Sequence, residues 1–243
     1  MQRSFMEQSA RSAMSTADQL SATTSFINRV YGWMSGGLVV TGIIAYLIGT
    51  DPAMMQRLIE NPGLIWGAII GEFVLVIAIS AGINKMSSTV ATGCFLLYAA
   101  LTGVVLSFIF LRYSMTSIAT TFFVTSMTFG VMSIYGYVTK RDLTSIGNLC
   151  FMALIGLIIA SIVNMFVAST ALYWGVTYVG ILIFVGLTAY DTQKIKEMSI
   201  ALGDELSVSE TGKKYAIMGA LRLYLDFINL FLLLLRIFGG SRN

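Results

Sequence analysis

The residues best suited to chemistry are two aspartates. Asp191 stands in Thr188-Ala189-Tyr190-Asp191-Thr192-Gln193 and Asp226 in Leu223-Tyr224-Leu225-Asp226-Phe227-Ile228-Asn229-Leu230. Each segment is otherwise apolar enough to enter a bilayer, where an ionisable side chain is expensive and marks a functional site by default. Two carboxyls that meet in a dry site cannot both ionise cheaply, so they titrate as a unit. With one proton between them they form a clasp; without it they are two repelling anions. Deprotonated, the pair offers hard oxygen ligands suited to calcium, with Glu72, in Gly71-Glu72-Phe73, as a candidate further acid. Arg222, one turn before Asp226, could pair with it and oppose the repulsion. The plainer alternative is that the acids only pin two helices together through Arg222 or backbone donors.

Other chemistries lack their residues. The chain contains no His, and Cys94 and Cys150 each lie inside an apolar run, so no spaced Cys/His set exists to hold a metal. The two cysteines read as buried free thiols. A net charge of +3 over 243 residues gives no reason to expect nucleic acid. An intramembrane aspartyl protease would also carry acids on two neighbouring helices. However, the second acid here follows Leu223-Tyr224-Leu225 rather than Gly-x-Gly, and no proline follows Pro62. The expectation is therefore not an enzyme.

The elements that must position these acids are membrane helices. With 56% apolar and 11% charged residues, the apolar residues gather into runs near the roughly 20 needed to cross hydrocarbon as helix. A membrane barrel would instead show segments of about ten residues with alternating polarity. Seven spans are predicted, near residues 27–49, 63–83, 90–111, 118–138, 146–167, 173–198 and 215–238. Residues 1–25 read as a loosely ordered polar tail on the cytoplasmic side, and residues 26–243 as one seven-helix domain. Gly32 and Gly36 stand four apart, a spacing that permits close helix approach. Asp51, Pro52, Asn61 and Pro62 bracket a short amphipathic connection. The Ser, Thr and Asn164 of spans three to five are expected to bond between helices. The sixth helix should continue past Asp191, with Lys194 and Lys196 snorkelling to the surface, and Gly203 and Gly212 punctuate the loop that follows it. On the last span Arg222, Asp226, Asn229, Leu233 and Arg236 recur at helical spacing, a polar stripe that belongs inside a bundle.

Lys and Arg set the expected orientation. With the N terminus inside, Arg3, Arg11, Arg29, Lys85, Lys140, Arg141, Lys194, Lys196, Lys213 and Lys214 fall on the inner side. Arg57, Arg112, Arg236 and Arg242 fall outside. The C terminus is then outside, unless the last helix is re-entrant.

Several stretches resemble the Bax inhibitor-1 family, closest to bacterial inner-membrane members. They are residues 188–196 (TAYDTQKIK), 220–231 (ALRLYLDFINLF) and 235–239 (LRIFG), supported by 135–143 (YGYVTKRDL) and 31–34 (YGWM). The resemblance implies an all-α membrane fold with six helices around a central seventh, and a calcium leak gated by protons at an aspartate pair. By motif that pair is Asp191 and Asp226; Arg236 matches an arginine of the last helix, and Glu72 an acidic position of the second. In some members an arginine on the second helix latches onto the pair. Here that helix has no Arg, Lys85 lies at its end, and Arg222 stands as the substitute. The leading expectation is thus a pH-sensitive, calcium-permeable leak of the bacterial plasma membrane. The alternative is a regulatory protein acting on a membrane protease or another membrane component through its polar tail.

Overall fold

The computed structural model describes residues 2–202 and 209–240, and the side chains of residues 21–201 and 209–240. Gly203 and the side chains of Arg3, Arg11 and Arg242 fall outside that set. The described chain is helical throughout: α1 (Gln2–Thr50), α2 (Pro52–Glu60), α3 (Pro62–Gly82), α4 (Ser88–Leu106), α5 (Ile109–Arg112), α6 (Met115–Val138), α7 (Thr144–Val167), α8 (Thr170–Leu202) and α9 (Glu210–Phe238). Seven segments are long and apolar enough to cross a membrane: Ser21–Thr50, Pro62–Lys85, Ser88–Arg112, Met115–Val138, Thr144–Val167, Thr170–Ala201 and Glu210–Phe238. These match the seven expected spans. Residues 1–25, read as a loose tail, instead run as helix from Gln2 into the first span.

Local chemistry accounts for most of the breaks. Asp51 caps α2, its carboxylate accepting the N–H groups of Ala53 at 2.8 Å and Met54 at 3.3 Å, and Pro52 and Pro62 sit where a helix needs no donor. The third span is interrupted after Leu106, where Ser107 turns its hydroxyl onto the Val104 carbonyl at 2.7 Å before α5 resumes. The chain leaves α7 through Ala168, which has a left-handed φ of 51°; the Asn164 side chain accepts the Ser169 N–H at 2.9 Å and closes that end.

Lipid-facing and enclosed helices separate sharply. In its most apolar stretch α9 has 67% of its residues buried, against 6% for α7 and 11% for the span containing α3. The α9 helix packs on α1, α4, α6 and α8. Its Leu221, Leu223 and Tyr224 are fully enclosed in a core that also takes in Phe26 and Val30 of α1, Ile79 of α3 and Phe95 of α4.

Close helix approach occurs at glycines other than the expected pair. Gly32 and Gly36 face open space. At Gly103 a Cβ would come within 2.8 Å of the Thr41 carbonyl, and at Gly136 it would run into the backbone of Ala189. The expected interhelical hydroxyl bonds are likewise scarce. Thr102, Thr125, Ser126, Thr128 and Ser161 each bond the carbonyl four residues back on their own helix. That local bond satisfies the hydroxyl in hydrocarbon without a partner helix.

Candidate functional site

The α8 signature is a ring of buried polar side chains pointing in different directions. Helical spacing turns successive residues by about 100°, so Asp191, Thr192 and Gln193 address three neighbours. The Thr192 hydroxyl meets the Tyr31 hydroxyl of α1 at 3.2 Å. The Gln193 amide donates to the Arg141 carbonyl at 2.8 Å, and its oxygen accepts the Leu143 N–H at 2.9 Å, which ties α8 to the connection between α6 and α7. Asp191 faces α9. One turn on, Lys196 does not snorkel freely: it donates to the Tyr137 carbonyl at 2.6 Å and lies over the Tyr137 ring. Lys194 pairs with Glu197 at 2.8 Å.

Packing fixes this face. A Cβ at Gly147 of α7 would come within 2.5 Å of the Tyr190 ring, and one at Gly186 within 2.8 Å of the Cys150 sulfur. The α6 and α7 backbones therefore press directly against the turn of α8 that carries Asp191. On the other side Phe227 of α9 makes edge contacts with Phe122 and Phe129 of α6, which fixes the rotation of the turn carrying Asp226.

The result is contact between the two acids. Asp191 is 6% exposed and Asp226 4%, and their carboxyls lie within hydrogen-bonding reach of one another. Ionised carboxylates only accept hydrogen bonds, so two side by side can bond to one another only when one of them holds a proton. One oxygen of Asp226, Oδ2, is buried with no hydrogen-bond partner. An unpaired buried acceptor carries an uncompensated desolvation cost, which makes this the least satisfied position of the site.

Arg222 is close enough for its charge to act on both carboxyls. Its side chain is exposed, and among the described residues it forms no ion pair within 4 Å with either aspartate. It is a neighbouring charge rather than a latch. Cys150 of α7 is also near enough to Asp226 to be affected by its charge, a neighbour that one-dimensional pattern gave no means of finding.

The remaining candidates lie elsewhere. Asn229 donates to the Leu225 carbonyl of its own helix at 2.8 Å. Arg236 sits over the Tyr173 ring at 5.1 Å, at the far end of α9. Glu72 is not beside the aspartates: it faces Thr102 and Tyr98 of α4 and Tyr224 of α9. Among the described residues no third acidic side chain completes a metal-binding group with the pair. Gln193 and Thr192 were quoted within the motif, but their clamping roles come from the geometry.

Outside the membrane, Asp142 shapes the connection that Gln193 grips. Its carboxylate accepts hydrogen bonds from the Thr144 hydroxyl and backbone N–H, and these hold it below the usual carboxylate range. The backbone bond is 2.8 Å long.

Comparison with known proteins shows the family of this chain. A family model described as Inhibitor of apoptosis-promoting Bax1 matches residues 23–243. The chain is 52% identical over 220 residues to the inner membrane protein YbhL of Escherichia coli, an alignment covering 90% of this chain and 92% of that one. It is 45% identical over 221 residues to the uncharacterized protein RP147 of Rickettsia prowazekii, covering 90% of each. An uncharacterized protein of Deinococcus radiodurans is 38% identical over 239 residues, 98% of each chain.

Proposed function

We propose, from the premise that this chain belongs to the Bax inhibitor-1 family, that it is a pH-sensitive, calcium-permeable leak of a bacterial inner membrane, gated at Asp191 and Asp226. The observation that carries the reading is the contact of two buried carboxyls on α8 and α9. The inner-membrane location rests on the seven spans and the likeness to YbhL. An inward N terminus and outward C terminus follow from the distribution of Lys and Arg.

At low pH one shared proton holds the pair together and the path closed. When the proton leaves, two like charges about 4 Å apart repel by on the order of 4 kcal/mol at an effective dielectric near 20. At 1.4 kcal/mol per decade that shifts an open–closed balance by about a thousandfold, enough to make a rare state common. A calcium ion arriving between the carboxylates offsets the repulsion through hard oxygen ligands, and so passes as cargo. Gly136 and Gly147 hold Asp191 in place while Gln193 fixes the inner connection.

Calcium flux into liposomes containing the purified protein, measured across pH, tests the gate. Native protein should leak more as pH rises, and the Asp191→Asn, Asp226→Asn double variant should lose that dependence. Indistinguishable pH profiles would refute the gating role.

A regulatory reading is favoured by one observation: the polar residues 1–25 precede the first apolar run, and from Gln2 the helix of that run already includes them. Such an extension suits presentation to a membrane protease or another cytoplasmic-side partner. Co-purification that depends on residues 1–25, with no flux from the purified protein, would select it.

A further inference from the structure

Three buried side-chain oxygens without a hydrogen-bond partner fall on α6 and α9: Thr121 Oγ1 and Ser133 Oγ on the first, Asp226 Oδ2 on the second. The two hydroxyls break the habit of their helix. Thr125, Ser126 and Thr128 each donate to the carbonyl four residues back, at 2.7, 2.8 and 2.9 Å, a bond open to any Ser or Thr in a helix. Thr121 and Ser133 leave it unmade, although Thr121 is fully buried and Ser133 only 7% exposed. A buried hydroxyl left unpaired carries a desolvation cost, and polar groups kept inside a bundle at such a cost mark a path for water or ions.

The contacts around them place these oxygens. The buried residues of α6, Thr121, Thr125, Phe129, Ser133 and Gly136, recur at three- to four-residue spacing and form one face, and α6 packs on α8 and α9. At Gly136 that face meets the Ala189 backbone of α8. At Phe129, about 10 Å back along the axis, it meets the Phe227 ring of α9, with centroids 5.5 Å apart. Ser133 lies between these two contacts, where α6, α8 and α9 come together. Beyond it the seam turns aromatic. Phe227 and Phe231 follow Asp226 on α9, and Phe122 of α6 makes edge contacts with both, at 5.4 and 6.3 Å. Phe129, Phe227 and Phe231 are buried, and the half-exposed Phe122 covers them on the lipid side. Thr121 borders the rings at their far end, about 18 Å along α6 from Ser133.

We propose that Phe129, Phe227 and Phe231, covered by Phe122, are the closed barrier of the leak: a dry aromatic plug in the seam between α6 and α9, with Ser133 and Asp226 at one end and Thr121 at the other. The assignment rests on the leak reading of the aspartate pair and adds the place where a hydrated cation is stopped. An apolar constriction excludes water, and the ion with it. Asp226 and Phe227 are neighbours in the chain, so a shift of the α9 turn at Asp226 moves the next ring against Phe129.

Calcium flux through the full-length protein in liposomes at acid pH, where the shared proton holds the pair closed, tests the barrier. Phe129→Ser and Phe231→Ser should each raise that flux by about tenfold or more, since a hydroxyl wets an apolar constriction. Phe231→Leu, which keeps the constriction apolar, should raise it far less. A second arm leaves the rings intact and decides the matter if the serine variants fail to fold. Thr121→Val and Ser133→Ala remove hydroxyls that the closed fold does not pair, so the fold should keep its stability. Each should lower the flux at alkaline pH severalfold, whereas Ser161→Ala on α7, outside the seam and bonded to its own helix, should leave it unchanged. Native flux that follows pH, together with folded serine variants that stay silent at acid pH, overturns the barrier and leaves the gate standing. Alkaline flux unchanged in both Thr121→Val and Ser133→Ala overturns the seam as the path, and the barrier with it. Native protein silent at every pH, beside serine variants that conduct, sinks the pH gate and keeps the barrier; silence of the variants as well overturns both.

Discussion

Helices α7 and α9 are both long, apolar and fully helical, yet one lies almost bare and the other is the most enclosed span of the described chain. Composition already separates them, since α7 has no charged residue while α9 carries Glu210, Lys213, Lys214, Arg222, Asp226 and Arg236. The difference lies in where the polar groups fall. Along α7 the Ser161 hydroxyl is spent on its own backbone, leaving Leu149, Met152, Ile155 and Phe166 free to face lipid. On α9 Asp226 and Tyr224 cannot be satisfied locally and reach Asp191 and Thr41 on other helices. A polar group that its own helix cannot satisfy forces that helix inward, because hydrocarbon offers no alternative partner.

This contrast can be broken by substitution. The largest effect is expected from core truncation: Leu223→Ala on α9 removes a fully enclosed side chain and should destabilise by about 2–5 kcal/mol. Leu149→Ala on α7, 67% exposed, should change stability by no more than about 0.5 kcal/mol. Unfolding in lipid or detergent measures both, and equal losses would dissolve the distinction. Next, Gly136→Leu should cost about 1–3 kcal/mol by overpacking the α6–α8 contact, and it should disturb Asp191 with it. Gly156→Leu on α7, whose Cβ would meet open space, should be tolerated in the same assay.

A smaller effect is expected from deleting one hydroxyl. Tyr224→Phe breaks the bond to Thr41 and should cost about 1 kcal/mol, the net worth of a typical hydrogen bond, whereas Ser161→Ala on α7 should be close to neutral. The smallest effect concerns the connection gripped by Gln193. Because the folded state holds the Asp142 carboxyl low, its contribution is complete above the unfolded carboxyl value and is lost as pH falls through the folded one. Asp142→Asn should lower stability slightly at neutral pH and flatten the acid side of the profile, so that its unfolding midpoints converge with those of the native protein as pH falls.

How much was legible in the sequence follows from the range of each interaction. The seven spans, the short connection bracketed by Asp51 and Pro62, and the continuation of α8 past Asp191 were readable because hydrophobic length, turn residues and propensity act within a few residues. The motifs around Asp191 and Asp226 also pointed to two acids that the fold buries, since an ionisable group in an apolar run is conspicuous in one dimension. The loose tail was misread because polar composition alone does not distinguish a solvated helix from coil.

Partner choice was decided only in three dimensions. Glycine spacing pointed to Gly32 and Gly36, while the close contacts fell at Gly103 and Gly136, because rotation about each helix axis decides which small residue meets a neighbour. The same rotation put Glu72 with Tyr98, Thr102 and Tyr224 rather than with the aspartates, and set Arg236 over Tyr173. By itself the sequence determined how many helices cross and which acids they carry. The tertiary structure decided which acids lie side by side and which stand apart, because that depends on the facing of whole helices, and the facing is fixed by the summed packing of surfaces far apart in the chain.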